Sequence, residues 1–232
     1  MAIVKTSHAA AALRGLPLAF SVATLAACGG GAPAQNNTTA AVAAAAPADA
    51  TPVRNALAEF DRMCSRAQER EAYLAAAPGA GWEPHQPAAD SQLGRVIAIG
   101  EAAASQAPTP ATGQTGDARI VNSVFRKMAN GRELFLLVSR ITVPGMERSL
   151  ECRVYDFAAP APTEAEITAW TTTAPANRAS EQGLTAYGWF PGFRQGFSRI
   201  DVTHLNPSSP LAAQFPISGL SIVAFQGPTT AE

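Results

Sequence analysis

The sequence predicts an α+β domain that is mainly antiparallel sheet, with a long N-terminal helix and shorter helices packed on it. Three observations favour this class. An apolar stripe with helical spacing begins at Val53, and the turn dipeptide Asn130-Gly131 separates two apolar runs. In addition, helical and extended segments do not alternate in the regular βαβ order of a parallel sheet.

The long N-terminal helix is expected to begin at Thr51-Pro52, which suits the N-cap and the first helical position. Apolar residues then recur at helical spacing, namely Val53, Leu57, Phe60, Cys64 and Ala67. Pro78-Gly79 is expected to end this helix. A second helix is expected near Asp90 or Ser91, although Val96–Ile99 also fits a short buried strand.

The strands follow from the hairpin signal. Asn-Gly suits the positive φ angles of a two-residue turn, so Ile120–Ala129 and Glu133–Val143 are expected to pair. Leu150–Phe157 predicts a third strand, with charged residues on one face and apolar residues on the other. Thr163 and Glu166 form a capping box that opens a short helix. Further strands are expected at Thr185–Phe190, Phe197–His204 and Leu220–Phe225.

The N-terminal residues are typical of an exported protein. Lys5 and Arg14 precede the apolar run Leu16–Ala27, which is too short to span a membrane. Leu25-Ala26-Ala27-Cys28 resembles the lipobox of bacterial lipoproteins. That resemblance implies a signal peptide over residues 1–27 and a lipid-modified Cys28 at the new N-terminus. The alternative is an ordinary signal peptide cut after an alanine by the general signal peptidase.

Residues 28–50 are expected to form the lipidated cysteine and a flexible Ala/Pro/Gly tether, because the segment has no aromatic residue and almost no charge. Residues 51–232 are expected to form a single domain. Gly29 stands where an aspartate would favour retention in the inner membrane, so the resemblance implies the periplasmic face of the outer membrane. The membrane lipid is thus an expected partner, reached through the Cys28 anchor.

The charge balance argues against a nucleic-acid partner. Of 17 Lys and Arg residues, Lys5 and Arg14 belong to the expected leader, which leaves 15 basic against 18 acidic residues. Nucleic-acid binding depends on concentrated positive charge.

Cys64 and Cys152 are expected to form a disulfide bond. Both lie on the apolar faces of their predicted elements, and an exported protein folds in an oxidising compartment. The alternative is two separate buried thiols.

No compact pattern commits the chain to catalysis, a metal or a cofactor. His85 lies in a proline-containing loop, whereas Asp201 and His204 are three residues apart in a predicted strand and therefore point to opposite faces. A hydrolase remains the alternative function, with a site that the fold assembles around His85 or His204.

An aromatic segment is the candidate ligand surface. Its residues are Tyr187, Trp189, Phe190, Phe193 and Arg194. Their rings can stack on a sugar or clasp a peptide, but the same residues also fit a strand-turn-strand corner that completes the core.

Four segments resemble, in a general way, uncharacterised exported bacterial proteins, and this resemblance implies no activity. They are the first-helix cysteine, Gly81-Trp82, Gly131–Phe135 and Cys152–Phe157. The sequence therefore predicts a membrane-anchored envelope lipoprotein with a non-catalytic binding or structural role, and an envelope protein or a small ligand as its partner.

Overall fold

The computed structural model describes residues 51–106, 118–143, 149–213, 215 and 217–227, and these residues contain four α-helices and eight strands. The helices are α1 (Pro52–Cys64), α2 (Arg70–Gly79), α3 (Gln92–Gln106) and α4 (Glu164–Trp170). The strands are β1 (Glu83–Pro84), β2 (Arg119–Ala129), β3 (Arg132–Thr142), β4 (Ser149–Asp156), β5 (Asn177–Glu181), β6 (Leu184–Trp189), β7 (Arg199–Leu205) and β8 (Gly219–Gln226). A short 3-10 helix covers Pro210–Ala213. The expected leader (1–27) and tether (28–50) lie outside the described residues.

All eight strands form one antiparallel sheet in the order β1-β2-β3-β4-β8-β7-β6-β5. Two tight turns connect neighbouring strands. Asn130 and Gly131 have φ angles of 51° and 75°, and Gln182 and Gly183 have 49° and 79°. Positive φ at both central residues is typical of hairpin turns that match the twist of the strands. The predicted Asn-Gly hairpin is therefore confirmed, with Ala129 opposite Arg132.

The larger core lies between α1, α2 and α4 and one face of the sheet, which we call the helix face. Val53, Leu57 and Phe60 of α1 are buried against this face. Strand residues at alternate positions, such as Leu136, Val138 and the Ile222 side chain, complete the core. This alternation follows from the period of two in a strand.

A smaller core lies on the opposite face, which we call the groove face. Leu93 and Val96 of α3 pack there against Phe135, Leu137 and Tyr155. Since α3 packs on the β2, β3 and β4 side of the sheet, none of the four α-helices in the described residues covers most of the groove face over β8, β7 and β6.

The predicted α+β class with a long N-terminal helix is wrong. The described chain is mostly one eight-stranded sheet, and the expected long helix is divided into α1 and α2 by residues 65–69. The interruption has a tertiary cause. The Ala67 N–H donates to the Gln195 carbonyl oxygen at 3.1 Å, and the Tyr73 hydroxyl donates to the Arg66 carbonyl oxygen at 2.9 Å. Backbone groups that would serve a continuous helix are thus bonded elsewhere.

Local signals were more reliable. The Thr51 side chain accepts a bond from the Arg54 N–H at 3.2 Å, as expected of an N-cap. The capping box is present, because Thr163 and Glu166 bond each other's backbone N–H groups. The strands β1 and β5 were missed. Both are short and exposed edge strands, which lack the alternating burial that reveals a strand in a sequence.

Candidate functional site

The aromatic segment is divided between the two faces of the sheet. Tyr187 and Trp189 of β6 point to the helix face and are buried, with Trp189 only 1 % exposed. The Trp189 indole N–H donates to the Thr173 carbonyl oxygen at 2.9 Å. Phe190 is exposed and lies near Arg199. The predicted residues therefore do not form one continuous surface.

Phe193 and Arg194 complete a cluster beside α4. The Phe193 ring meets the Trp170 ring edge to face at 4.9 Å, and an Arg194 Nη2 donates to Asp61 Oδ1 at 2.8 Å. The Trp170 indole N–H donates to the other oxygen of Asp61 at 2.9 Å. These contacts tie α1, α4 and the segment after β6 together, so the burial favours the corner interpretation.

Cys64 and Cys152 form a disulfide bond, as the sequence predicted. It joins the C-terminal end of α1 to the middle of β4 on the helix face, and both residues are fully buried. Cys28, the predicted lipidation site, lies outside the described residues.

The two histidines of the described residues lie on opposite faces of the sheet. His204 is buried on the helix face, its Nε2 lies 3.1 Å from the Ala159 carbonyl oxygen, and burial lowers its pKa. Asp201 lies on the groove face, so the prediction that these side chains point apart is confirmed. His85 packs against Phe135, with the two ring centroids 5.5 Å apart. The hydrolase alternative gains no support from these positions.

The site that the fold builds is a groove on the groove face, of about 280 Å³. Its floor consists of three successive rows of residues that lie opposite one another on adjacent strands. The first row is Arg153 on β4, Val223 on β8 and Asp201 on β7. We call this site the sheet groove.

The second and third rows become progressively less polar. Ser221 and Thr203 form the second row, and neither hydroxyl bonds to another described side chain. Leu205 and Leu184 form the third row, and Leu211 of the 3-10 helix adds to this apolar end. The sheet groove is thus charged at one end and apolar at the other.

Two ion pairs place four charges around the first row, and we call these residues the charge quartet: Glu151, Arg153, Arg199 and Asp201. Arg153 Nε donates to Glu151 Oε2 at 2.9 Å, and Arg199 Nε lies 2.5 Å from Asp201 Oδ2. The quartet sums to zero net charge. Glu151 on β4 and Arg199 on β7 both lie opposite Phe225 on β8. Positive and negative groups therefore alternate along each of these two strands and also from β4 across to β7.

The charges are held in a partly dehydrated setting. Burial raises the pKa of the Asp201 carboxyl, while its bond to Arg199 opposes this change. Burial alone would lower the pKa of the Arg153 guanidinium, but the neighbouring Tyr155 and Glu151 raise it above its ordinary value. Arg153 is therefore a permanent cation at the groove floor.

A glycine lets β6 lie close to the Asp201 carboxylate. Gly188 lies opposite Asp201, and a Cβ atom there would be 3.1 Å from Asp201 Oδ1. The Phe190 ring lies on the same side, 3.2 Å from that Cβ position, and Asp201 Oδ2 is bonded to Arg199, so Asp201 is reached from the groove that it lines and not from β6.

Sequence reasoning recognised Arg153 as part of a polar strand face but did not connect it with Asp201. The available signal was charge at alternating strand positions, Glu151 with Arg153 and Arg199 with Asp201. That pattern does not reveal that β4 and β7 flank β8.

Comparisons of this chain with protein-family models, curated proteins and solved structures found no match. Within the described part of the chain, none of the helices combines the length and apolar character needed to cross a membrane. Among the same residues, no group of three or more His, Cys, Asp or Glu side chains is arranged to hold a metal ion.

Proposed function

We propose that this chain is the precursor of a lipid-anchored envelope lipoprotein whose folded domain binds a small ligand in the sheet groove, without catalysing a reaction. The observation that carries the binding role is a concave site with an apolar end and a few convergent polar groups. Small-molecule sites in proteins have this composition. The Arg153 and Asp201 charges and the Thr203 and Ser221 hydroxyls are these polar groups.

The anchor rests on the sequence. Leu25-Ala26-Ala27-Cys28 matches the lipobox pattern, and the low-charge segment 28–50 suits a spacer between membrane and domain. Two or three acyl chains on Cys28 hold a protein at a membrane, since each buried methylene contributes about 0.8 kcal/mol. Gly29 favours the periplasmic face of the outer membrane as the location.

The binding role is tested by native mass spectrometry of the full chain extracted from its own membranes. We expect a co-purifying small molecule on the wild-type chain that is lost in Thr203→Phe, which fills the groove floor. Ser180→Phe is the matched control, because Ser180 is exposed on the edge strand β5 and lies outside the groove. Retention of the molecule by Thr203→Phe would contradict the proposed site.

The anchor is tested by metabolic labelling with an alkyne-bearing fatty acid. The wild-type chain is expected to be labelled and to fractionate with membranes, whereas Cys28→Ser is expected to be unlabelled. Equal labelling of the two chains would contradict lipidation at Cys28.

A further inference from the structure

We propose that the ligand of the sheet groove is a zwitterion, namely a free α-amino acid with a large apolar side chain. This inference rests on the proposed binding function and names its ligand class. The argument uses three properties of the groove: its charge balance, the order of its rows and its size.

The charge balance favours a ligand that carries both signs. Arg153 and Asp201 face the groove from opposite sides of Val223, roughly 10 Å apart between Cα atoms, or two strand spacings. Each is already neutralised by its own partner, Glu151 or Arg199. A ligand with a single net charge would leave that charge uncompensated in a partly buried site, whereas a zwitterion adds none.

The geometry gives each ligand group a partner. The ligand carboxylate meets the Arg153 guanidinium and the ligand ammonium meets the Asp201 carboxylate, because both side chains line the groove. The Thr203 and Ser221 hydroxyls in the next row can bond the same polar head, because a hydroxyl both donates and accepts. Both head groups then lie at the charged end of the groove.

The apolar end determines the side chain. Three leucines form the end of the groove that is farthest from the charged row, beyond the hydroxyls of Thr203 and Ser221. They are Leu184, Leu205 and Leu211. A side chain that reaches them from the first row must be long and apolar. A volume of about 280 Å³ limits the ligand to one small molecule.

The test is isothermal titration calorimetry of the full-length chain, purified as it matures, with three related compounds. L-phenylalanine carries both charges, phenethylamine lacks the carboxylate, and 3-phenylpropionate lacks the ammonium. We expect L-phenylalanine to bind at least about tenfold more tightly than either single-charge compound, because each lost charged hydrogen bond weakens binding by at least this factor. Equal affinities for the three compounds would overturn the proposal.

Two variants locate the binding. Asp201→Asn is expected to weaken the binding of L-phenylalanine at least about tenfold but not the binding of 3-phenylpropionate, since only L-phenylalanine offers an ammonium. Glu164→Gln is the matched control, a carboxylate-to-amide change at an exposed site outside the groove. Thr203→Phe is expected to abolish binding by occupying the floor. If Glu164→Gln and Asp201→Asn weakened the binding of L-phenylalanine equally, the assignment of Asp201 as the partner of the ligand ammonium would be overturned.

The two proposals fail in distinguishable ways. If L-phenylalanine and L-leucine both fail to bind but native mass spectrometry finds another molecule that Thr203→Phe removes, the zwitterion inference is wrong and the binding function stands. If no molecule is found by either method, both proposals are wrong.

Discussion

Removal of the Cys64–Cys152 disulfide is expected to cost much of the stability of the domain. The bond joins residues 88 positions apart, so it closes a long loop in the unfolded chain. In the chain-entropy model a loop of this length corresponds to about 4.5 kcal/mol. Small domains are stable by only about 5–15 kcal/mol, so the double variant Cys64→Ala/Cys152→Ala is expected to be only marginally folded.

The measurement is urea-induced unfolding of residues 29–232, followed by far-ultraviolet circular dichroism and by tryptophan fluorescence. Dithiothreitol-reduced wild-type protein is the control, because reduction breaks the bond without removing a buried sulfur atom. The reduced chain and the double variant are expected to lose similar unfolding free energy. If the unfolding free energy fell by less than about 1.5 kcal/mol in both the reduced chain and the double variant, the assignment of this stabilisation to loop closure would be refuted.

Three further changes test other parts of the fold. Arg132→Ala is expected to destabilise by about 3 kcal/mol, since it leaves the buried Asp156 carboxylate without its bidentate partner; chemical denaturation should show no such loss if that pair is unimportant. Burial lowers the pKa of His204, so folding favours the neutral imidazole. The stabilisation from this neutral form is lost as the pH falls below about 6.5. The unfolding free energy measured from pH 7.5 to 5.5 should therefore decline less in His204→Gln than in the wild-type chain. Gly219→Ala is expected to cost more than about 2 kcal/mol, because φ is +83° and the new Cβ would lie 2.4 Å from the Phe157 carbonyl oxygen; an unchanged melting temperature would contradict this.

Local features were readable from the sequence because they depend on neighbouring residues. Thr51 and Thr163 cap helices through side-chain oxygens that reach nearby backbone N–H groups, and Asn130-Gly131 adopts positive φ at low cost. The period of two in a strand also placed Asp201 and His204 on opposite faces. The Cys64–Cys152 pairing followed from apolar faces that both elements bury.

The fold class and the candidate site were not readable in the same way. Nothing in residues 65–69 ends a helix by itself, and the interruption arises where Ala67 bonds to Gln195, far along the chain. The prediction of a long N-terminal helix failed because it continued the apolar stripe through residues 65–69, where this tertiary contact interrupts the helix.

The sequence by itself determined the caps, the central hairpin and the disulfide partners. Only the tertiary structure decided that β4 and β7 flank β8, which brings Arg153 and Asp201 into one groove. The physical reason is that a strand's own pattern specifies which side chains share a face, whereas the choice of neighbouring strand depends on packing across the whole sheet.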